Sequence, residues 1–366
     1  MKLLVLAQTP PPLHGQSVMV QTLVEGLPSH GIEVYHVNLS LSRAAADIGR
    51  WRLGKLATVV DACLHTIVAR FTQGCDTLYY VPAPGKRGAL YRDWVIMLLC
   101  RPFFKKLVLH WHAAGLSGWL ATQANYLERR CTHWLLGHAD LALVLSENLR
   151  ADAEALSPKN IAVVPNGIPD PAPGERSAQS GHPFQVLFIG LCSEEKGLFA
   201  TAEAVLAANR AMPAPAAEPK FILIAAGAFP DSATSARFHA LCTQHPDCLR
   251  YVGLVHSTEK AHWLQTSHCL CLPTYYQAEG QPLVLLEAMA YDLPIIATRW
   301  SAIPDMLPPA AILVEPGDAN ELLAALNHLA EKSPAAGVLR QHYLAHYTTD
   351  RHLQRLAKVL QPQSVA

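Results

Sequence analysis

Two glutamates eight positions apart, Glu279 and Glu287, sit where the chain turns from an apolar run into a helix-forming one. Upstream, Ser267 to Thr274 reads as a short buried strand ending in a turn. Downstream, Leu283 to Ala290 is built of good helix formers, and the pattern stops at Asp292-Leu293-Pro294. The segment between is a loop feeding a helix N-terminus, where free backbone N–H groups and the positive end of the helix dipole attract anions. Glu279 falls just before that end and Glu287 about two turns into the helix. Carboxylates accept hydrogen bonds from hydroxyls, so this pair beside an anion-attracting helix end suits a ligand with both phosphates and sugar hydroxyls, a nucleotide-sugar. The spacing alone carries little, because two helical turns produce it in any protein; the weight rests on the surrounding words.

The elements that must position this segment fall into two halves. In the first, strand one ends near Gln8, a Pro/Gly loop holds His14-Gly15-Gln16-Ser17, and a helix runs from about Val18 to Gly26. Strands follow at 31–37, 77–81, 106–110 and 141–145, with helical stretches near 56–70, 88–100 and 120–137. Ser146 to Leu149 reads as the cap of a further helix. The second half begins the pattern again, with strands at 184–189, 221–225, 249–252, 269–272 and 295–297 and a helix over 198–208. This alternation predicts an α/β protein with two doubly wound domains. The turn-rich stretch from Pro165 to Gly174, polar on to Gly181, marks the joint. The expected division is 1–165, a linker at 166–181, a second domain at 182–335 and a last helical stretch over 336–366.

Composition excludes several classes. Hydrophobic residues make up 51%, which excludes a disordered or fibrous chain. Lys plus Arg equals Asp plus Glu at 29 each, so overall charge does not point to nucleic acid. Nine cysteines show no zinc or disulfide spacing, Cys269 and Cys271 read as strand core, and the expected compartment is a reducing cytoplasm. Met1 to Ala7 is too short for a signal peptide and reads as a first strand; no apolar run is long enough to span a bilayer. Lys86, Arg87, Arg92, Arg101, Lys105 and Lys106 flank an apolar and aromatic run. That segment, 86–106, reads either as a peripheral contact with anionic membrane or as a core helix with solvated ends.

The words from Pro273 to Thr298 resemble the signature of the retaining glycosyltransferases of family four: Glu279-Gly280, the glutamate pair, Leu286-Glu287-Ala288-Met289-Ala290, then Pro294 to Thr298. The resemblance implies the GT-B fold, two Rossmann-like domains facing a central cleft, with the last helix packing back on the first domain. It implies that the loop Gly190 to Gly197 holds the donor diphosphate, with Lys196 neutralising the leaving phosphate; a solvated loop lysine is the plainer alternative. Many family members have Arg where this chain has Leu191. Gly15 matches the glycine of the loop after strand one, near acceptor and donor phosphate, or serves as an ordinary turn. His112 takes the place of the family's histidine at the end of a first-domain strand, close to the transferred sugar, while His110 reads as a core histidine. Asn166 resembles the strand-to-linker word and reads as a hinge marker. Backbone groups at Gly280, Gln281 and Leu283 are expected to meet phosphate or sugar, Glu287 the ribose hydroxyls, and Glu279 the transferred sugar.

The implied reaction is retaining transfer by front-face attack, with the leaving diphosphate as base; Glu279 as covalent nucleophile is the other route. No cofactor is expected beyond the nucleotide-sugar itself, UDP- or GDP-linked. No metal is expected either, since the chain has no Asp-x-Asp clamp. Such enzymes extend glycans or lipid-linked sugars in cell-surface polysaccharide or lipopolysaccharide assembly, which fits a position on the inner face of the cytoplasmic membrane. A nucleotide-sugar epimerase on the same fold and an inactive partner of a transferase are the alternatives; the single glycine at Gly15 and Leu191 keep the latter open. A dehydrogenase is disfavoured, because no G-x-G-x-x-G follows the first strand.

Overall fold

The computed structural model describes residues 1–39, 53–172, 183–211, 219–332 and 334–361. They form two compact units: Met1–Gly167 with Gln277–Gln281 and Thr349–Ala366, and Ile168–Tyr276 with Pro282–Thr348. Residues 173–181 of the expected linker lie outside the described residues.

The first unit runs β1 (Lys2–Ala7), α1 (Gly15–Gly26), β2 (Glu33–Asn38), α2 (Leu53–Thr72), β3 (Thr77–Tyr80) and α3 (Arg87–Cys100). It continues through β4 (Lys106–His110), α4 (Leu116–Thr122), α5 (Tyr126–Leu136), β5 (Leu141–Val144), α6 (Arg150–Glu154) and β6 (Ile161–Val163). Its parallel sheet has the order β2-β1-β3-β4-β5-β6, with Leu3 in register with Val34 on one side and Thr77 on the other. Parallel strands are covered by helices on both faces and so read as unbroken apolar runs; β1 is buried from Leu3 to Ala7.

The second unit runs β7 (Phe184–Ile189), α7 (Leu198–Arg210), β8 (Phe221–Ala226), α8 (Ser232–Gln244), β9 (Leu249–Gly253), α9 (Ser257–Thr266) and β10 (Cys269–Leu272). There follow α10 (Leu283–Ala290), β11 (Ile295–Thr298), α11 (Ile303–Met306), β12 (Ile312–Val314), α12 (Ala319–Glu331) and α13 (Val338–His346). The strand order is β12-β11-β10-β7-β8-β9, again parallel. Cys269 and Cys271 are fully buried in its core. In such sheets the crevice for a ligand opens beyond the carboxyl ends of the two strands where the order reverses. Those are β1 and β3 in the first unit, β7 and β10 in the second.

Four expectations need correction. Helix α1 starts at Gly15, not Val18, because the His14 ring caps it: Nδ1 accepts from the Ser17 N–H at 3.3 Å, and the Ser17 hydroxyl accepts from the His14 N–H at 3.1 Å. The stretch 120–137 is two helices, since Asn125 and Glu128 form a capping box that opens α5. Ser146 caps nothing with its side chain; a short 3-10 turn, Glu147–Leu149, precedes α6.

The stretch 336–360 is also two helices, α13 and α14 (Thr349–Leu360). The break comes where Tyr347 and Thr348 pair with Ile168: the Ile168 N–H donates to the Tyr347 carbonyl at 2.9 Å, and the Tyr343 hydroxyl to the Ile168 carbonyl at 2.9 Å. Leu339 and Tyr343 of α13 sit in the second unit's core, whereas Leu353, Leu356 and Leu360 of α14 join Leu3, Val5, Val20 and Leu23 in the first. Gly26 leaves room for this helix, since a Cβ there would lie 2.3 Å from a Leu353 methyl.

Candidate functional site

In the second unit, the switch-point strands bring together two loops that the sequence singled out. The loop after β7, Gly190 to Gly197, meets the loop after β10, Pro273 to Tyr276. The Tyr275 N–H donates to the Glu195 carbonyl at 2.8 Å, and Lys196 Nζ lies 5.0 Å from the centre of the Tyr276 ring. The Thr298 hydroxyl at the end of β11 and the Trp300 indole just past it donate to the carbonyls of Thr274 and Tyr276. The loop that leads into the glutamate signature is thereby held from both sides.

Two glycines around this loop have no room for a Cβ, while Gly190 has. A Cβ on Gly190 would meet nothing within 4 Å. Gly197 sits at φ +86 against Pro273, whose carbonyl oxygen would be 2.6 Å from a Cβ; Gly227, at φ +141, would place one 1.7 Å from the Gly190 carbonyl oxygen. Gly227 follows β8 and carries no motif, so nothing in the sequence pointed to it. Leu191 is 40% exposed on the same loop.

Helix α10 begins at Leu283 behind Pro282, and no side chain caps it. Glu287 is therefore little more than one turn into the helix, not two, since it lies four residues past Leu283 at 3.6 residues per turn. Its carboxylate is paired: Lys260 Nζ on α9 reaches both oxygens, at 2.6 and 2.5 Å, and both side chains are about a quarter exposed. Lys260 stands alone in its sequence neighbourhood, and only the fold reveals it as a partner.

In the first unit, four histidines gather at the carboxyl ends of β1 and β4. The Tyr79 hydroxyl hydrogen-bonds the His110 ring, and the His110 and His112 rings lie 4.1 Å apart. His352 of α14 bonds the Pro165 carbonyl through Nδ1 at 2.7 Å. Burial pushes His112 down to about 3, with the charges of His352 and His14 acting the same way, and pushes His352 down to about 4. His110 and His14 are lowered by burial as well. All four rings are neutral near pH 7 and can exchange hydrogen bonds with hydroxyls. Gly15 stands beside this group as the first residue of α1. His352 lies about 240 residues from His112 along the chain, in a helix with no motif, and was not foreseen.

The segment Gln277–Gln281 belongs to this first unit, so the glutamate pair is divided: Glu279 in the first unit, Glu287 in the second. Gly280 lies so close to the His112 carbonyl that a Cβ would be 2.1 Å from its oxygen. Buried Gln281 accepts from the Asn166 N–H through Oε1 at 2.6 Å. Asn166 thus anchors the signature, and its own Oδ1 is buried with no hydrogen-bond partner. Glu279 is 5% exposed. Below this loop, buried Asp152 accepts from the Gly115 N–H, the Ser117 N–H and the Ser117 hydroxyl, each at 2.7 Å, and so fixes the turn after His112.

The segment 86–106 shows most of its basic groups engaged within the protein. Arg87 binds Glu128 at 2.8 Å, Arg92 binds Asp93 at 2.7 Å, Arg101 donates to the carbonyls of Leu135 and Gly137, and Lys105 binds Asp76 at 2.8 Å. Among the described residues, no three His, Cys, Asp or Glu converge as a metal site would need, and no helix is long and apolar enough to cross a membrane.

Residues 183–332, most of which lie in the second unit, match the family of glycosyl transferases group 1. Over 76 residues the chain is 40% identical to MMP alpha-(1->4)-mannosyltransferase of Mycolicibacterium hassiacum, covering 20% of this chain and 18% of the relative. Over 91 residues it is 32% identical to the amylovoran biosynthesis glycosyltransferase AmsK of Erwinia amylovora, covering 23% and 22%. The matched region spans about a fifth of the length of each curated relative. Among solved structures, Anabaena HepE in complex with UDP and glucose aligns over 99% of both chains, with a TM-score of 0.71 at 16% identity. Two six-stranded parallel sheets and this likeness give the chain the two-domain, Rossmann-like GT-B fold.

Proposed function

We propose that this GT-B protein, whose residues 183–332 match the glycosyl transferases group 1 family, is a retaining, metal-independent glycosyltransferase. It moves a sugar from a UDP- or GDP-linked donor to a glycan or lipid-linked acceptor in cell-surface polysaccharide or lipopolysaccharide synthesis. The observation that carries the reading is the family match over 183–332, which contains both the Gly190–Gly197 loop and the whole glutamate signature. The named activities of the mannosyltransferase and AmsK support transfer over the epimerase and inactive-partner readings, and the UDP in the HepE complex supports a nucleotide-sugar donor.

In this reading the first uncapped N–H groups of α10, at Leu283, and those of Gly280 and Gln281 meet donor phosphate or sugar. Lys196 neutralises charge on the departing diphosphate, and Glu287, shared with Lys260, accepts from the ribose hydroxyls. Glu279 and the neutral His112 ring bind hydroxyls of the transferred sugar. The bond from the anomeric carbon to the phosphate oxygen breaks, its electrons leaving with the phosphate. The acceptor oxygen then attacks the same face, and its proton passes to that phosphate oxygen. The enzyme works in the cytoplasm, at the inner face of the membrane.

Purified protein is melted with UDP, GDP, ADP and their sugar conjugates in the presence of a chelator. A rise with one nucleotide series, by linkage, supports the donor site and identifies its base. No shift with any of them contradicts the donor reading, and a shift that demands added metal contradicts metal independence. The anomeric configuration of the product, read by NMR, tests retention.

A further inference from the structure

Helix α2 covers the first unit with one face and leaves the other bare. Val59, Ala62, Cys63 and Thr66 are buried, whereas Val60, Leu64, Val68 and Phe71, spaced i, i+4, i+8 and i+11, form an outward apolar stripe. Leu64 and Val68 are each 58% exposed, and Phe71 64%. Helix α3 packs beside α2, and α5 beside α3. Leu98, Phe103 and Trp134 extend the exposed surface across them. The Phe71 and Phe103 rings meet edge to face at 6.0 Å, and Arg70 Nε donates to the Phe103 carbonyl at 2.9 Å, so stripe and turn are one surface. A hollow of about 520 Å³ adjoins it, walled by Leu98, Phe104 and Trp134 together with Arg101, Lys105 and Lys159. Its one acidic wall residue, Asp140, is bound to Lys159 at 2.7 Å.

The charge of this layer departs from that of the whole chain. Against an overall balance of 29 to 29, residues 53–140 hold ten Lys/Arg and five Asp/Glu. Of those five, Asp93 and Glu128 are buried, and Asp76 is bridged by both Arg70 and Lys105. An apolar, aromatic stripe within a cationic layer is complementary to an anionic bilayer, whose phosphates attract Lys and Arg while its boundary accepts Leu, Val, Phe and Trp. The other occupant of such a face, a second copy of this chain, would set one cationic patch against itself.

We propose that the α2 face of the first unit docks on an anionic lipid bilayer, inserting Leu64, Val68, Phe71, Phe103 and Trp134 at the headgroup boundary. The insertion is led by α2, joined by Phe103 from the segment 86–106 and Trp134 of α5, while helix α3 turns Leu90, Ile96, Met97 and Cys100 into the core. The inference rests on the placement at a membrane given above, and is independent of sugar transfer.

The test is co-sedimentation of the full chain with vesicles of phosphatidylcholine alone and of phosphatidylcholine with phosphatidylglycerol, with nucleotide melting shifts measured alongside. Wild type is expected to bind the phosphatidylglycerol vesicles and to be partly released by salt. The double variant V68E/F71E should bind at least about tenfold more weakly, with its melting temperature and nucleotide shifts unchanged, since both side chains are exposed. Lys105→Glu with Lys159→Glu, both on the wall of the hollow, should weaken binding to the anionic vesicles alone. No vesicle binding by wild type, equal binding to both vesicle types, or unaltered binding by V68E/F71E would overturn the proposal. So would a dimer in light scattering that V68E/F71E dissolves, which would assign the face to a second copy. If vesicle binding behaves as expected while no nucleotide shifts the melting point, the docking face stands and the transferase reading falls.

Discussion

Replacing Gly280 by Ala probes the contact that seats the glutamate signature in the first unit. The added Cβ would lie 2.1 Å from the His112 carbonyl oxygen, where ordinary contact begins near 3.4 Å, so one backbone must retreat by the difference, about 1.3 Å. Neither neighbour is a flexible side-chain tip. The loop is tied by the 2.6 Å bond from Asn166 to Gln281, and the His112 turn by the bonds from Gly115 and Ser117 to Asp152. Overpacking of this kind costs about 1–3 kcal/mol, which lowers the melting temperature by about 2–4 °C per kcal/mol in a unit of this size. The effect on turnover should be larger, because a displacement of about 1 Å at a reacting centre costs about a hundredfold, and the displaced segment carries Glu279. The assay pairs melting with release of nucleoside diphosphate from the donor identified above. Gly190→Ala is the control, since its Cβ meets nothing, and its melting temperature should stay at the wild-type value. A Gly280→Ala protein that melts and turns over as wild type would refute the seating of the loop on the His112 carbonyl.

Glu287→Ala should weaken donor-nucleotide binding by about tenfold or more, because it removes an acceptor and leaves Lys260 without its partner; unchanged affinity by calorimetry would remove Glu287 from the ribose. His112→Ala and Glu279→Ala should leave nucleotide affinity within about twofold and lower turnover instead, the split expected of groups that contact the transferred sugar; a fall in affinity alone would contradict that role. Gly197→Ala should destabilise more than Gly190→Ala, since φ +86 disfavours any Cβ and the Pro273 carbonyl is in its way; denaturant melts compare the two. Stability should fall on acidification below about pH 6.5, the ordinary histidine value, because the unfolded chain takes up protons there while His352, held near 4, and His112, near 3, do not. His352 alone accounts for about 2 kcal/mol lost by pH 5. The His352→Gln variant should show a flatter pH dependence between 6.5 and about 4 in the same melts, and an unchanged slope would contradict the neutral buried ring.

Local patterns in the chain carried much of the architecture. Strands such as Leu3 to Ala7 and Cys269 to Leu272 are continuous apolar runs because both faces of a parallel sheet are covered, so their existence was legible. The loop Gly190 to Gly197 and the words around Glu279 and Glu287 were legible too, since turn residues and helix formers act over a few positions. Helix ends were less so. The start of α1 depends on a histidine ring acting as a cap, and the break between α13 and α14 on Ile168 pairing with Tyr347 and Thr348 from far away in the chain.

The sequence by itself determined the alternation of strands and helices and the two-domain class, and it singled out the loops to which the proposed chemistry is assigned. Only the tertiary structure decided which unit each part serves and which groups meet. It assigned Gln277–Gln281 and α14 to the first unit, set His352 beside His112, paired Lys260 with Glu287, and left no room for a Cβ at Gly227, Gly197 and Gly280. Periodicity reports how one element faces its immediate neighbours. Contacts between residues a hundred or more positions apart depend instead on how whole elements pack, and that is set by the summed burial of many side chains, to which no single local pattern corresponds.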